Sequence, residues 1–207
     1  MSSPATTTRE IGDRERRLLD VAARLFAKRG YADTTMRQIA NEAGIGLGAM
    51  YYHVPGKEEL LARIHEEFVG AIVNDLREIT ASIPDARAAL RAAARLMTRY
   101  LDRYQHHMDA FFSEQRRIRG RRFAQVVARR KEFEDLIDEL LRRGVGQGHL
   151  RPNDISLSRL ALLGMFNYGH QWYRRGGRST PEQIADCLAG IFLDGLAPRA
   201  TSDKEGI

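Results

Sequence analysis

The side chains best equipped for chemistry crowd into one short stretch. Gly46-Leu47-Gly48-Ala49-Met50-Tyr51-Tyr52-His53 sets two glycines before two adjacent tyrosines and a histidine. As a core helix this is a poor composition, because each glycine costs ~1 kcal/mol relative to alanine. Against a nucleic-acid backbone it makes sense. Glycine lets the main chain approach closely, and Tyr and His donate hydrogen bonds to phosphate oxygens. Thr35, Arg37 and Lys57 flank the stretch with further donors. Each has a plainer reading. One tyrosine of the pair can pack inward, Thr35 can serve only as a helix cap, and Lys57 can be a solvated helix start.

These residues need a scaffold, and the spacing supplies one. Apolar residues recur every three to four positions almost throughout, while strand alternation and Asn-Gly or Asp-Gly hairpins are absent. A first helix is expected over 13–29, with Leu18, Ala22, Leu25 and Phe26 inward and Gly30 as its stop. A short helix over 36–43 follows, N-capped by Thr35 with Gln38 three residues on, a capping box. Gly44 allows a sharp turn into a second short helix over 47–53. Two short helices about a glycine turn, behind a buttressing helix, make a helix-turn-helix, whose second helix enters the major groove.

The rest of the chain predicts a helical body. Helices are expected from Lys57 to about Ile79, from Pro84 to Tyr104, around Met108–Glu114, over 121–143, over 155–174 and over 181–196. Thr180 and Pro181 form an N-cap and first helical position. The fold class is therefore all-α, about nine helices. The divisions are a flexible arm over 1–12, the helix-turn-helix domain over 13–57, a helical body over 58–198 and a loose tail over 199–207. Arg9, Arg14, Arg16 and Arg17 read either as a phosphate or minor-groove arm or as a solvated one.

Composition narrows the classes. The 207 residues carry a net charge of +6, and 29 of the 33 basic residues are arginine. Guanidinium grips phosphate and carboxylate in a bidentate fork, so an anionic partner is expected. One cysteine, Cys187, excludes an internal disulfide. No apolar run nears the ~20 residues of a membrane span, and Met1–Ile11 lacks the apolar centre of a secretory signal. A cytoplasmic protein without membrane contact is expected.

The run Gly30-Tyr31, Thr34-Thr35-Met36-Arg37-Gln38-Ile39-Ala40, Ala43-Gly44, Gly48, Tyr51-Tyr52-His53 and Lys57-Glu58-Glu59-Leu60 resembles the N-terminal domain of the TetR family of transcriptional regulators. The resemblance implies a homodimer bearing two DNA-binding heads on a ligand-binding and dimerisation body. It also implies repression relieved when a small molecule spreads the heads. By the same resemblance, phosphate contacts fall on Thr35, Arg37, Tyr51, Tyr52, His53 and Lys57, and base-edge contacts on Leu47, Gly48 and Ala49. The chain departs from the family pattern at Gly46, where serine is usual. It departs at Leu47 and Ala49, where Lys or Thr is frequent, and at Val54, where Phe is usual. Apolar Leu47 and Ala49 can reach only thymine methyls, so specificity is expected to lean on Arg37, Tyr51 and DNA shape.

In the body, Asn167-Tyr168-Gly169-His170-Gln171-Trp172-Tyr173-Arg174-Arg175-Gly176-Gly177 is the most distinctive stretch. It resembles the TetR subgroup that controls fatty-acid and sterol catabolism and responds to acyl-CoA thioesters. Residues 99–131 hold ten basic and three acidic residues, whereas residues 1–57 hold nine and six. The arginine surplus thus sits mainly in the body, where Arg116 and its neighbours suit the phosphates of CoA. Met97, Tyr104, Phe111, Phe112, Phe123, Phe166, Asn167, His170, Trp172 and Arg174 complete the candidate ligand site. A solvated charge run and an ordinary core explain the same residues without a ligand. A planar aromatic effector stacking on Trp172 is the competing ligand class. Leu160, Leu163, Leu188, Ile191, Phe192 and Leu196 are the candidate dimer interface. No enzyme motif, no metal site (His106-His107 included) and no cofactor are expected. A helical interaction protein without DNA binding would leave the residues from Thr35 to Lys57 unexplained.

Overall fold

A computed structural model describes residues 4–151 and 154–197, with backbone alone for residues 4–13 and 53. The expected tail over 199–207 lies outside the described residues, as do residues 1–3. The elements in order are α1 (Pro4–Arg29), α2 (Met36–Ala43), α3 (Leu47–His53), α4 (Lys57–Ser82), α5 (Ala86–Glu114), a 3-10 turn (Gln115–Arg117), α6 (Gly120–Gly146), α7 (Ile155–Asn167), α8 (Gly169–Trp172) and α9 (Pro181–Gly195). The described residues are all-α, as composition and periodicity lead one to expect.

Two compact units form. One comprises the chain up to Ala71 together with Arg103–Arg130, and the other Ile72–Asp102 together with the chain from Lys131 onward. The boundaries fall inside α4, α5 and α6, not at residue 57 where the motif ends. In the first unit Leu60, Leu61, Ile64 and Phe68 of α4, Phe111 of α5 and Ile118 are buried, as are Leu18, Ala22, Leu25 and Phe26 of α1. Each such Leu, Ile or Phe contributes roughly 1.5–3 kcal/mol by leaving water, so the short α2 and α3 draw on the longer helices for a core. In the second unit Leu76, Leu90, Ile137, Leu140, Leu141, Leu162, Phe192 and Leu193 form one buried cluster.

Several boundaries differ from the sequence reading. Residues 4–12, expected as a flexible arm, continue α1 from Pro4, because proline at a first helical position sacrifices no hydrogen bond. The separate helix expected around Met108–Glu114 is the end of α5, which passes Tyr104 at the non-helical φ −114°, ψ 24°. The helix expected over 155–174 stops at Asn167, and the single turn α8 follows. A Cβ on Gly169 would lie 2.6 Å from Leu101 Cδ2, so glycine permits this close approach. The extended Tyr173 then drops its buried ring inward. Its hydroxyl donates to Asp102 Oδ1 at 2.5 Å, and Arg175 Nε donates to the same oxygen at 3.2 Å. Burial, then the Asp102 bond, pushes the Tyr173 phenol up to about 12.

Candidate nucleic-acid interface

Local sequence shapes the turn between α2 and α3. Thr35 Oγ1 accepts from the Gln38 amide at 3.2 Å, and the Thr35 amide donates to Gln38 Oε1 at 2.8 Å. This reciprocal capping box satisfies two donors at the start of α2. Gly44 closes α2 at φ +70°, ψ 35°, a left-handed conformation that favours glycine. α3 then starts at Gly46, whose missing side chain makes no cap bond. Met50 and Val54 are 1% exposed and pin α3 to the domain. Gly48, Ala49, Tyr51 and Tyr52 face outward, with Leu47 half-buried beside them.

Both tyrosines are thus on the surface, Tyr51 at 48% and Tyr52 at 85% exposure. A Cβ on Gly48 would meet nothing within 4 Å, so the open backbone there serves approach from outside. Arg37 is exposed, and its guanidinium has no partner among the described residues. The Thr35 hydroxyl is engaged in the capping box and remains on the surface. The His53 side chain lies outside the described part of the molecule.

Lys57 is placed differently from a free phosphate ligand. Its Nζ donates to the Tyr31 carbonyl at 2.5 Å and the Ala32 carbonyl at 3.2 Å. It also sits 4.5 Å from the Tyr31 ring centroid, and the Arg117 guanidinium lies 5.1 Å from that ring. Tyr31 in turn packs on Phe26, centroids 5.0 Å apart. Sequence reasoning did not single out Tyr31 as a site residue, although Gly30-Tyr31 opens the run that carries the resemblance.

The candidate ligand residues divide between the units. Tyr104 and Phe111 are buried in the first, with Phe112 half-buried, whereas Phe123 is 51% exposed there. Met97 and Phe166 belong to the apolar cluster of the second. His170 is buried, Trp172 and Asn167 are exposed, and Arg174 donates to the carbonyls of Gln171 and Tyr173. The basic run is partly consumed by ion pairs. Arg122 binds Glu59 at 2.5 Å, Arg129 binds Glu66 at 2.8 Å, and Arg117 pairs with Glu114. Arg116 and Arg121 are exposed and have no side-chain partner among the described residues. No group of three His, Cys, Asp or Glu able to hold a metal occurs among the described residues. No helix of the described residues is long and apolar enough to cross a membrane.

Of the candidate interface residues, Leu160 and Ile191 are 59% and 62% exposed. Leu163 and Phe192 are buried in the chain's own core, and Leu188 and Leu196 pack against it. Leu157 on α7 and Tyr168 beside it are exposed apolar residues that periodicity alone did not select. Added Cβ atoms on Gly164, Gly190 and Gly195 would meet nothing within 4 Å, so these positions are open.

Residues 18–64 match the tetR family of bacterial regulatory proteins, and residues 84–196 match the tetracyclin repressor-like C-terminal domain. The chain belongs to the TetR family. Its members are transcriptional regulators, not enzymes. Among characterised TetR proteins it is 34% identical over 197 residues to the HTH-type transcriptional repressor KstR2 of Rhodococcus jostii RHA1, covering 94% of this chain and 96% of that one. The structure of the ketosteroid transcriptional regulator KstR2 of Mycobacterium tuberculosis superposes with a TM-score of 0.81 at 28% identity, covering 90% of this chain and 96% of that one. The TetR-like structure of AibR in complex with isovaleryl coenzyme A and operator DNA has a TM-score of 0.76 at 30% identity, covering 86% and 97%.

Proposed function

We propose that this protein is a cytoplasmic, homodimeric repressor that leaves its operator when an acyl-CoA thioester of lipid or sterol origin binds. The observation that carries the DNA-binding reading is the presentation of α3. Met50 and Val54 anchor it, while Gly48, Ala49, Tyr51 and Tyr52 stand outward, and Arg37 of α2 is exposed without a partner among the described residues. Duplex DNA offers phosphates to the donors and thymine methyls to the apolar positions. The homodimer is supported by Leu160 and Ile191 on the exposed sides of α7 and α9, with Gly164 and Gly190 leaving room for close helix approach. The effector class is supported by the solved AibR complex with isovaleryl coenzyme A and by Arg116 and Arg121, whose side chains are exposed and have no partner among the described residues.

The test is fluorescence anisotropy with a duplex from the region upstream of the protein's own gene. Isovaleryl-CoA, palmitoyl-CoA and a steroid-carboxylate CoA thioester are each added, alongside the free acids and a planar aromatic cation. Release by a thioester but not by its free acid is the expected result. Release by the aromatic cation alone removes the CoA reading and leaves a regulator of another ligand class. No preference for the upstream duplex over an unrelated one overturns the regulator reading.

A further inference from the structure

The arginines midway along α1 are not equivalent. Arg16 turns to Glu67, Nε to Oε1 at 3.6 Å, and Glu15 is taken by Arg63 at 2.9 Å. Arg14 and Arg17 lie three residues apart, on one helix face. Both are exposed, and neither has a partner among the described residues. They line an open cleft of about 540 Å³ whose opposite wall is the turn and the beginning of α3, at Gly44, Gly46 and Ala49. Ile45, Met50 and Val54 also line the cleft, and a Cβ on Gly44 or Gly46 would meet nothing within 4 Å. Two guanidinium groups without a partner among the described residues therefore stand beside the helix that carries the base-facing residues, across an accessible gap.

We propose that Arg14 and Arg17 form a phosphate site that grips the sugar–phosphate strand bordering the groove entered by α3. Guanidinium suits a bidentate grip on phosphate oxygens. The contact is electrostatic and blind to sequence, so it adds affinity and sets the orientation of the head without choosing the operator. The proposal rests on the DNA-binding reading and assigns that role to residues outside the helix-turn-helix.

Salt dependence of binding tests it, because each phosphate neutralised contributes ~0.9 to the slope of log K against log salt. Wild type, R14Q, R17Q, the double variant and the R14K/R17K variant are titrated against the upstream duplex and an unrelated duplex of equal length. R178Q, at an exposed arginine in the α8–α9 connection, is the control, and thermal unfolding verifies that each variant is folded. The substitution falls on both heads of the dimer, so the expected result is a slope flatter by ~1.8 in each single variant and ~3.6 in the double variant, on both duplexes. The lysine pair retains most of the slope, and the preference between duplexes is unchanged. A wild-type slope in the folded double variant overturns the proposal, as does the same flattening in R178Q. If wild type binds both duplexes equally, the regulator reading fails while the slopes still decide the arginine site. If wild type binds neither, both fall.

Discussion

Lys57 and Arg37 both carry a positive charge, yet the structure gives them different work. The Lys57 ammonium is held by two backbone carbonyls and the Tyr31 ring, tying the start of α4 to the loop after α1. Lys57→Met is expected to lower stability by about 1–3 kcal/mol, since hydrogen bonds to a charged group are the stronger kind. Urea unfolding checks this, and unchanged stability would return Lys57 to a pure phosphate role. Arg37 has no side-chain partner to lose among the described residues. Arg37→Ala should leave stability within about 0.5 kcal/mol and weaken operator binding roughly tenfold, equivalent to about 1.4 kcal/mol. Anisotropy titration reads that loss. The candidate residues around α3 were legible in sequence because the motif is local. The ring beneath Lys57 was not, because Tyr31 is 26 residues away along the chain.

At the scale of elements, the first unit binds α4 to α5 through an aromatic cluster containing a buried histidine. His65 is 1% exposed, its ring 4.2 Å from that of Phe111 and 5.4 Å from that of Phe68, and neither ring nitrogen has a hydrogen-bond partner. Burial, reinforced by the Arg130 charge, pushes its pKa down to about 3. The unfolded chain takes up a proton near pH 6.5, whereas the folded chain refuses it until about pH 3. Stability from this group is therefore present above pH 6.5 and lost as the pH falls toward 3. His65→Leu should flatten the acid side of the stability profile, by about 2 kcal/mol between pH 7.5 and 5. Urea midpoints at the two pH values measure it, and parallel profiles for wild type and variant would rule it out. Periodicity placed Leu61, Ile64, Phe68 and Ile72 on the inner face of α4 but passed over His65, since a histidine in sequence does not announce its burial.

At the scale of the molecule, the outward residues of α7 and α9 separate association from folding. Leu160 and Ile191 are exposed, whereas Leu163 and Phe192 are enclosed within one chain. Leu160→Glu with Ile191→Glu is expected to give a folded monomer in sedimentation velocity. Operator affinity should fall about 10²-fold or more, because two linked heads bind with avidity that separate heads lack. Phe192→Ala is expected instead to cost about 3–5 kcal/mol of stability by opening a cavity. A double glutamate variant that remains dimeric would move the interface elsewhere.

The sequence by itself determined the all-α class, the capping box at Thr35, the sharp turn at Gly44 and the run of residues offered by α3. Each depends on neighbours within a few positions, where spacing and side-chain type suffice. Only the tertiary structure decided how the arginine surplus is used. In the run that suggested CoA phosphates, Arg117, Arg122 and Arg129 are engaged by carboxylates, while Arg116 and Arg121 have no side-chain partner among the described residues. On α1, Arg16 is directed to Glu67 while Arg14 and Arg17 stay open beside α3. A basic residue has the same charge wherever it stands. Whether that charge is neutralised inside the molecule depends on carboxylates brought close by packing, often from another helix.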